Sequence, residues 1–356
     1  MVNRTVVVTG AAGMLGSHLA RRLRADGDLV RAVDLRPGPD IAFAGDVRDA
    51  TLMRRALAGA DAVVHCASAL PSYPAAQIRS IVVDGTRTVL GTAVRAGVPR
   101  VVHISSTAVY GLPSVVPTTE EHPREPVDTY SAAKAAAEEI ADELRAGGAC
   151  LPVLRPKTFL GPGRMGLFAM LFEWAEEGRH FPVPGRGDVR IQMLALADLV
   201  AAVRTVLDAP PEVANDTYNI AAAEFGTLRE DFQAVLDAAG HGRRVVPLPG
   251  RPALAALRTL ERMRLSPVYG RLLSKLTADS YVSIDKARDR LGFQPLQSNQ
   301  DAILDTYAWW REQRRLGDRP ERKESHDAAH QNGPTTGRTS RDPWKQGVLA
   351  AAKIFF

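Results

Sequence analysis

Tyr130 and Lys134 stand four residues apart in the stretch YSAAK, and 24 residues upstream of Tyr130 lies Ser106, in SSTAVYG. Residues four apart on a helix share a face, so the phenol and the ammonium point the same way. A neighbouring ammonium favours the phenolate and draws a tyrosine pKa down from about 10 towards the working pH. Tyr130 is therefore a candidate general base, able to take the proton of an alcohol as its carbon is oxidised. Ser106 is the candidate donor to the same oxygen as it becomes a carbonyl. An isolated tyrosine and lysine at this spacing describe an exposed helix face just as well. What makes them a catalytic pair is the order of the elements upstream.

The first of these elements is VVVTGAAGMLGSHL, Val6 to Leu19. Its β-branched run reads as a parallel strand buried on both faces, and Met14 onward reads as an amphipathic helix. Three glycines fall in the turn: Gly10 can take backbone angles closed to other residues, Gly13 lets the main chain approach a ligand, and Gly16 lets the helix sit close to the strand. The unpaired amides that open the helix, around Met14 and Leu15, make a pyrophosphate the expected ligand. Leu29 to Asp34 reads as a second strand that ends in a carboxylate 18 residues beyond Gly16. An acid there accepts both ribose hydroxyls of NAD and repels the 2′-phosphate of NADP, although Arg36 can cradle a phosphate. NAD is the cofactor these residues predict, and its oxidised nicotinamide, a cation, would reinforce the effect of Lys134 on Tyr130.

From the start to about Arg155 strands and helices alternate. Strands are expected at Thr5–Thr9, Leu29–Asp34, Ala62–His65, Arg100–Ser105 and Cys150–Arg155, and helices at Met14–Ala25, Asp49–Ala58, Ala75–Ala96 and Thr129–Arg145. That alternation implies right-handed crossovers and an α/β fold built on a doubly wound parallel sheet, with ligands beyond the carboxyl ends of the strands. Past Arg155 the pattern is irregular, with one more short strand at Tyr218–Ile220 and helices near Leu228–Ala239, Pro252–Arg264 and Val268–Leu276. The expected division is a discontinuous dinucleotide-binding domain, 1–155 and 191–222, and a smaller, mostly helical substrate-binding segment, 156–190 and 223–316. Residues 317–356 are expected to form a disordered tail with a short apolar end.

A chain of 356 residues can bury a full core, and its 45 basic and 40 acidic side chains nearly balance, which argues against a nucleic-acid partner. The excess is local: residues 251–276 carry Arg251, Arg258, Arg262, Arg264, Arg271 and Lys275 against Glu261 alone. Two cysteines, Cys66 and Cys150, suggest neither a disulfide framework nor a metal cluster and fit a reducing cytoplasm. The first strand begins too early for a signal peptide, and no apolar run approaches the roughly 18 residues of a membrane span. A soluble, cytoplasmic protein is expected.

Taken together the motifs resemble the extended short-chain dehydrogenases, the group of nucleotide-sugar epimerases, dehydratases and decarboxylases, over residues 4 to 313. TGAAGMLG matches the family's cofactor turn, and in GDVRD the resemblance places Asp46, with Val47, at the adenine. HCAS, with His65 and Ala67, looks like the segment that lines the cofactor, and LRPKTFLGPG, with Pro156, like the strand exit at the nicotinamide. Asp198 in LALADLVAAV and LGFQP at Leu291–Pro295 match further signatures. The family implies a Rossmann sheet, NAD, Ser106, Tyr130 and Lys134 as the catalytic set, and a homodimer through the helices at 75–96 and 129–145. Ser106, Thr107, Thr158, Arg190 and Arg251 are the expected substrate contacts. Two positions depart from the pattern: Val82 and Thr158 stand where the family carries asparagine.

The two residues after Ser106 sort the chemistry. Dehydratases of the family carry an acidic pair there and decarboxylases a glutamate, whereas this chain has Thr107 and Ala108. Neither relays a proton as a carboxylate does, which leaves oxidation and re-reduction at one carbon: epimerisation of a nucleotide sugar, at C4 in the first instance. The alternatives are a net dehydrogenase or reductase of a ring alcohol such as a sugar, cyclitol or steroid, and a regulator that binds NAD without chemistry.

Overall fold

The computed structural model describes residues 4–163, 168–249 and 278–317. The expected helices at 252–264 and 268–276, Arg251 and the basic residues beside it, and the tail from 318 onward lie outside the described residues. The chain divides into two compact units.

The first unit comprises residues up to Phe159, with Gln192–Glu224 and Ser280–Ser298. Its strands are β1 (Thr5–Thr9), β2 (Leu29–Asp34), β3 (Phe43–Ala44), β4 (Ala62–His65), β5 (Arg100–Ile104) and β6 (Val153–Pro156), with Thr217–Ile220 as the seventh. They form one parallel sheet in the order 217–220, β6, β5, β4, β1, β2, β3. The order reverses between β1 and β4, so the crevice for a ligand opens at their carboxyl ends. Helices α1 (Met14–Ala25), α2 (Ala50–Leu57), α3 (Ala75–Arg79), α4 (Gly85–Arg95) and α5 (Thr129–Ala146) belong to this unit, as does the helix Leu196–Asp208.

Burial on both faces explains the unbroken apolar strands. Val6 and Val8 enter one core with Leu15, Leu19 and Leu199, while Val7, Val63, Val101 and Val153 enter another with Met53, Leu57, Val89 and Leu90. Helix α5 is held by a reciprocal cap in which Asp128 accepts from the Ser131 amide and Ser131 Oγ accepts from the Asp128 amide.

Three differences from the sequence expectation have local causes. The last of the five strands begins at Val153 instead of Cys150, because Pro152 has no N–H to continue a ladder. The helix expected over 75–96 contains a π-helical turn, Ser80–Asp84, between α3 and α4. Ser280–Ser298, assigned above to the substrate segment, clusters with the first unit, where the Asp198 carboxylate accepts the amides of Leu296 and Gln297 at 3.0 Å each.

The second unit, Leu160–Ile191 with Phe225–Asp279 and the residues from Asn299 on, is mainly helical among the described residues. Helices Phe168–Glu176, Leu228–Ala239 and Asn299–Gly317 accompany a parallel pair of strands, Phe181–Pro184 and Val245–Leu248. Its core is aromatic: Phe172 contacts Tyr307 and Trp310 at ring separations of 5.2 and 5.8 Å, and Phe181 packs edge-on against Trp174 and Phe232. Asp231 is fully buried here, its Oδ2 accepting from Asn299 Nδ2 at 2.9 Å and its Oδ1 without a partner among the described residues.

Burial pushes the Asp231 carboxyl up to about 6. A carboxyl raised above its unfolded value binds its proton more tightly in the fold, so its contribution is best below about pH 4 and is lost as pH rises through about 6. Asp231→Asn is expected to stabilise the chain at pH 8 by about 1–2 kcal/mol and to have little effect at pH 4, as read by thermal unfolding. A lower Tm at pH 8 would contradict this.

Candidate active site

Alanines populate the buried side of α5 and let it lie close to the sheet. Lys134 is 3% exposed and its Nζ donates to the Ile104 carbonyl, at the end of β5, at 2.8 Å. Burial drives its pKa down to about 8 against the opposing pull of Glu138. Among the described residues the bond to Ile104 is its one hydrogen bond, which leaves two of the three ammonium donors for another acceptor. One turn earlier on α5, Tyr130 is half-buried against the apolar cluster of Ile78, Val82, Val83 and Ala133. Val82 therefore meets the tyrosine side of the site as hydrocarbon where an asparagine would bring an amide. Ser106, two residues past Ile104, caps the short 3₁₀ turn Thr107–Tyr110, its Oγ accepting from the Ala108 amide at 3.1 Å. The structure thus brings the lysine to the strand exit that carries Ser106.

The glycine turn is built by close approach. Gly10 has φ +67°, and a Cβ there would meet the backbone of Ala67 at 2.8 Å. A Cβ on Gly16 would lie 2.2 Å from the Gly10 carbonyl oxygen, and one on Gly13 would lie 3.0 Å from the same atom. Gly13 is the N-cap of α1 and gives no side-chain cap, so the first amides, at Met14, Leu15 and Gly16, face outward without one. At the end of β2 the Asp34 carboxylate is 8% exposed and accepts the amides of Ala12 and Arg36, both at 2.9 Å. The Arg36 guanidinium reaches back to the Ala12 carbonyl at 2.7 Å. A backbone cradle that side chains would fill, uncapped helix amides and a carboxylate at the second strand's end fit the pyrophosphate and ribose of NAD, and the two remaining donors of Lys134 fit a ribose diol.

Other expected residues fall as follows. His65 is buried with its two ring nitrogens bonded to Thr9 and Thr86, and burial pushes it down to about 3, so it stays neutral and offers a ligand backbone alone. The amide of Ala67 donates to Thr9 Oγ1, which ties this segment to β1. Asp46 is held below the usual carboxylate range by its bonds to Arg48. Val47 is buried against the core of α2 and α4. Pro156 is buried at the end of β6, where its carbonyl accepts from Thr107 Oγ1 at 3.4 Å. Thr158 is exposed. Arg190 belongs to the second unit, where its amide donates to Asp279 and its guanidinium stacks on Phe225 at 4.7 Å.

Two charged residues outside the expected set also belong to this region: Glu138, four residues past Lys134, and Arg155. Both are buried, and Arg155 grips Glu138 through Nε at 2.9 Å and Nη2 at 2.6 Å. The spacing that paired Tyr130 with Lys134, continued one turn, is the signal that finds Glu138.

The NAD dependent epimerase/dehydratase family matches residues 6–221 of this chain. An uncharacterized protein, y4nG, of Sinorhizobium fredii is 34% identical over 325 residues, 87% of this chain and 80% of that protein. The 3 beta-hydroxysteroid dehydrogenase/Delta 5-->4-isomerase of Mycobacterium tuberculosis is 28% identical over 86% of this chain and 90% of its own length. Among solved structures, DesIV, a dTDP-glucose 4,6-dehydratase from Streptomyces venezuelae determined with NAD bound, is 27% identical with a TM-score of 0.69, covering 88% of this chain and 98% of that one.

Lys134 carries its charge at a cost to the fold. With a folded pKa of about 8 against an ordinary 10.5, the unfolded chain binds the proton more tightly, so the penalty is present below about pH 8 and fades as pH rises towards 10.5. Lys134→Met is expected to raise stability at pH 7 by about 1–2 kcal/mol, after allowing for the lost bond to Ile104. Gly16→Ala is expected to weaken NAD binding by at least about tenfold, measured by calorimetric titration. A destabilised Lys134→Met or an unimpaired Gly16→Ala would contradict these assignments.

Proposed function

Because this chain belongs to the NAD-dependent epimerase/dehydratase family and is an enzyme of that kind with NAD as its cofactor, we propose that it epimerises a nucleotide sugar at a ring carbon, C4 first, with Tyr130 as base. The observation that carries the reading is the buried ammonium of Lys134, fixed to the exit of β5 two residues before Ser106 and one turn from Tyr130.

Tyr130, as phenolate beside that ammonium, takes the proton of the ring hydroxyl, and Ser106 donates to the oxygen as it becomes a carbonyl. NAD, when bound, would supply a hydride acceptor for the oxidation and a hydride donor for re-reduction on the opposite face of the keto carbon, once the keto sugar has turned over. Tyr130 then gives back the proton to the alkoxide, so no electrons are gained or lost. Thr107 and Ala108 supply no carboxylate next to Ser106, which speaks against the water elimination that DesIV is named for. In this reading Thr107, Thr158, Arg190 and Arg251 contact the substrate, and two copies pair through the helices at 75–96 and 129–145.

A second reading, net dehydrogenation of a ring alcohol such as a steroid, is favoured by two observations: the steroid dehydrogenase of M. tuberculosis matches over 90% of its own length, and Thr158 shortens the side chain where an asparagine is expected.

The purified protein is expected to release NAD on denaturation and to interconvert UDP-glucose and UDP-galactose, or another sugar pair, with none added. An empty protein that consumes added NAD with a steroid or sugar alcohol supports the second reading. Tyr130→Phe is expected to lower turnover by at least about a hundredfold, and unchanged turnover would end both. With Lys134 losing its proton near pH 8, turnover is expected to decline above that pH, as followed in a pH–rate profile.

A further inference from the structure

Behind Lys134 lies a buried polar network that none of the chemistry above uses. Glu138, 1% exposed and one turn further along α5, accepts from Ser105 Oγ at 2.5 Å, from Arg155 Nε at 2.9 Å and Nη2 at 2.6 Å, and from Arg124 Nη1 at 3.4 Å. Arg155, 6% exposed, extends the network through Nη1 to Tyr110 Oη at 2.8 Å and to the Glu120 carbonyl at 3.2 Å. Tyr110 in turn donates to Asn219 Oδ1 at 2.8 Å, on the outermost strand.

These bonds converge on the parts that must be in register for the proposed reaction. Ser105 adjoins Ser106 at the exit of β5, Arg155 adjoins Pro156 at the exit of β6, and Tyr110 closes the turn that Ser106 caps. A carboxylate held by four bonds from three residues is a rigid node, since Ser105, Arg155 and Arg124 each tie a different stretch of chain to the helix that carries Tyr130 and Lys134. We propose that Glu138 is a positioning residue of this enzyme: through Ser105 and Arg155 it clamps the exits of β5 and β6 to α5, and through its charge it keeps Lys134 an ammonium beside Tyr130. The proposal rests on Tyr130 as the base.

The groups around Lys134 leave Glu138 as its anionic support. On α5 it has Tyr130 and Glu138, on β4 His65 with Cys66 after it, and on β5 His103. Both histidines are driven far below their ordinary pKa by burial, and the Cys66 thiol is pushed up to about 12, so at neutral pH none of the three bears charge. His65 and His103 stack at 5.7 Å as a neutral floor. Glu138 is the group that resists, by its charge, the loss of the lysine proton that burial favours.

The test uses the full chain loaded with NAD and follows tyrosinate ultraviolet absorbance against pH, with Tyr130→Phe subtracted so that one of the seven tyrosines is read alone. Glu138→Gln is expected to raise the Tyr130 midpoint by about half a pH unit or more, because Lys134 then loses its proton earlier. The double variant Glu138→Gln with Arg155→Gln, which leaves no unpaired buried charge if the single one fails to fold, is expected to do the same. Glu138→Asp is expected to keep the midpoint within about 0.2 units of the parent. NAD affinity within about twofold of the parent certifies the fold. An unmoved midpoint in the folded neutral variants overturns the proposal alone, whereas a parent midpoint at the ordinary value near 10 overturns the base assignment and this inference with it.

Discussion

The structure turns on one buried charge. Lys134 sits 97% out of water with a single carbonyl as its hydrogen-bond partner among the described residues, a position that favours the neutral amine. A fold selected for stability alone would place hydrocarbon there, and the neighbours supplied by β4 and β5, two neutral histidines and a thiol, do nothing to compensate the charge. The ammonium makes sense as an electrostatic device: in a low-dielectric setting one positive charge acts strongly on a phenol a helical turn away. The same burial that penalises it gives it its reach.

The rest of the first unit serves to present that charge to a ligand. The parallel sheet reverses order at β1 and β4, and the glycine turn fills the resulting crevice so tightly that one added carbon at Gly16 would collide with the Gly10 carbonyl. The tightness leaves uncapped helix amides and the largely buried Asp34 carboxylate along one lip, while α5, capped by Asp128 and Ser131 and faced with alanine, brings Lys134 to the other. Asp34 accepts the amide of Ala12 in the glycine turn and that of Arg36 just past β2, so the carboxylate shapes the cradle as well as offering itself to a ribose.

Much of this architecture was legible in the residues. Thr5–Thr9, Leu29–Asp34, Ala62–His65 and Met14–Ala25 have the same ends in pattern and in structure, because β-branched runs and glycine or turn residues mark both sides of each. The helices Phe168–Glu176, Leu196–Asp208 and Asn299–Gly317 were not, since buried apolar or mixed faces blur the helical period in the first two and the third buries aromatic rings on a strongly charged background. Asp198 was legible as a family position and illegible as an anchor for Leu296 and Gln297, a contact that spans the chain. The pairing of Glu138 with Arg155 was illegible, because sequence gives no measure of burial for a carboxylate whose partner arrives on another element. Arg251 and the basic stretch around it lie outside the described residues, so the substrate side of the account rests on the family and on Thr107, Ala108 and Thr158.

The account stands or falls on where Lys134 and Tyr130 point when the cofactor is in place, and a crystal structure of the chain with NAD measures that directly. It is expected to show Lys134 Nζ still bonded to the Ile104 carbonyl while it donates to the ribose next to the nicotinamide, with Tyr130 Oη and Ser106 Oγ converging on one point beside the ring. A complex in which NAD lies along the glycine turn but the Tyr130 hydroxyl faces away from the nicotinamide would contradict it.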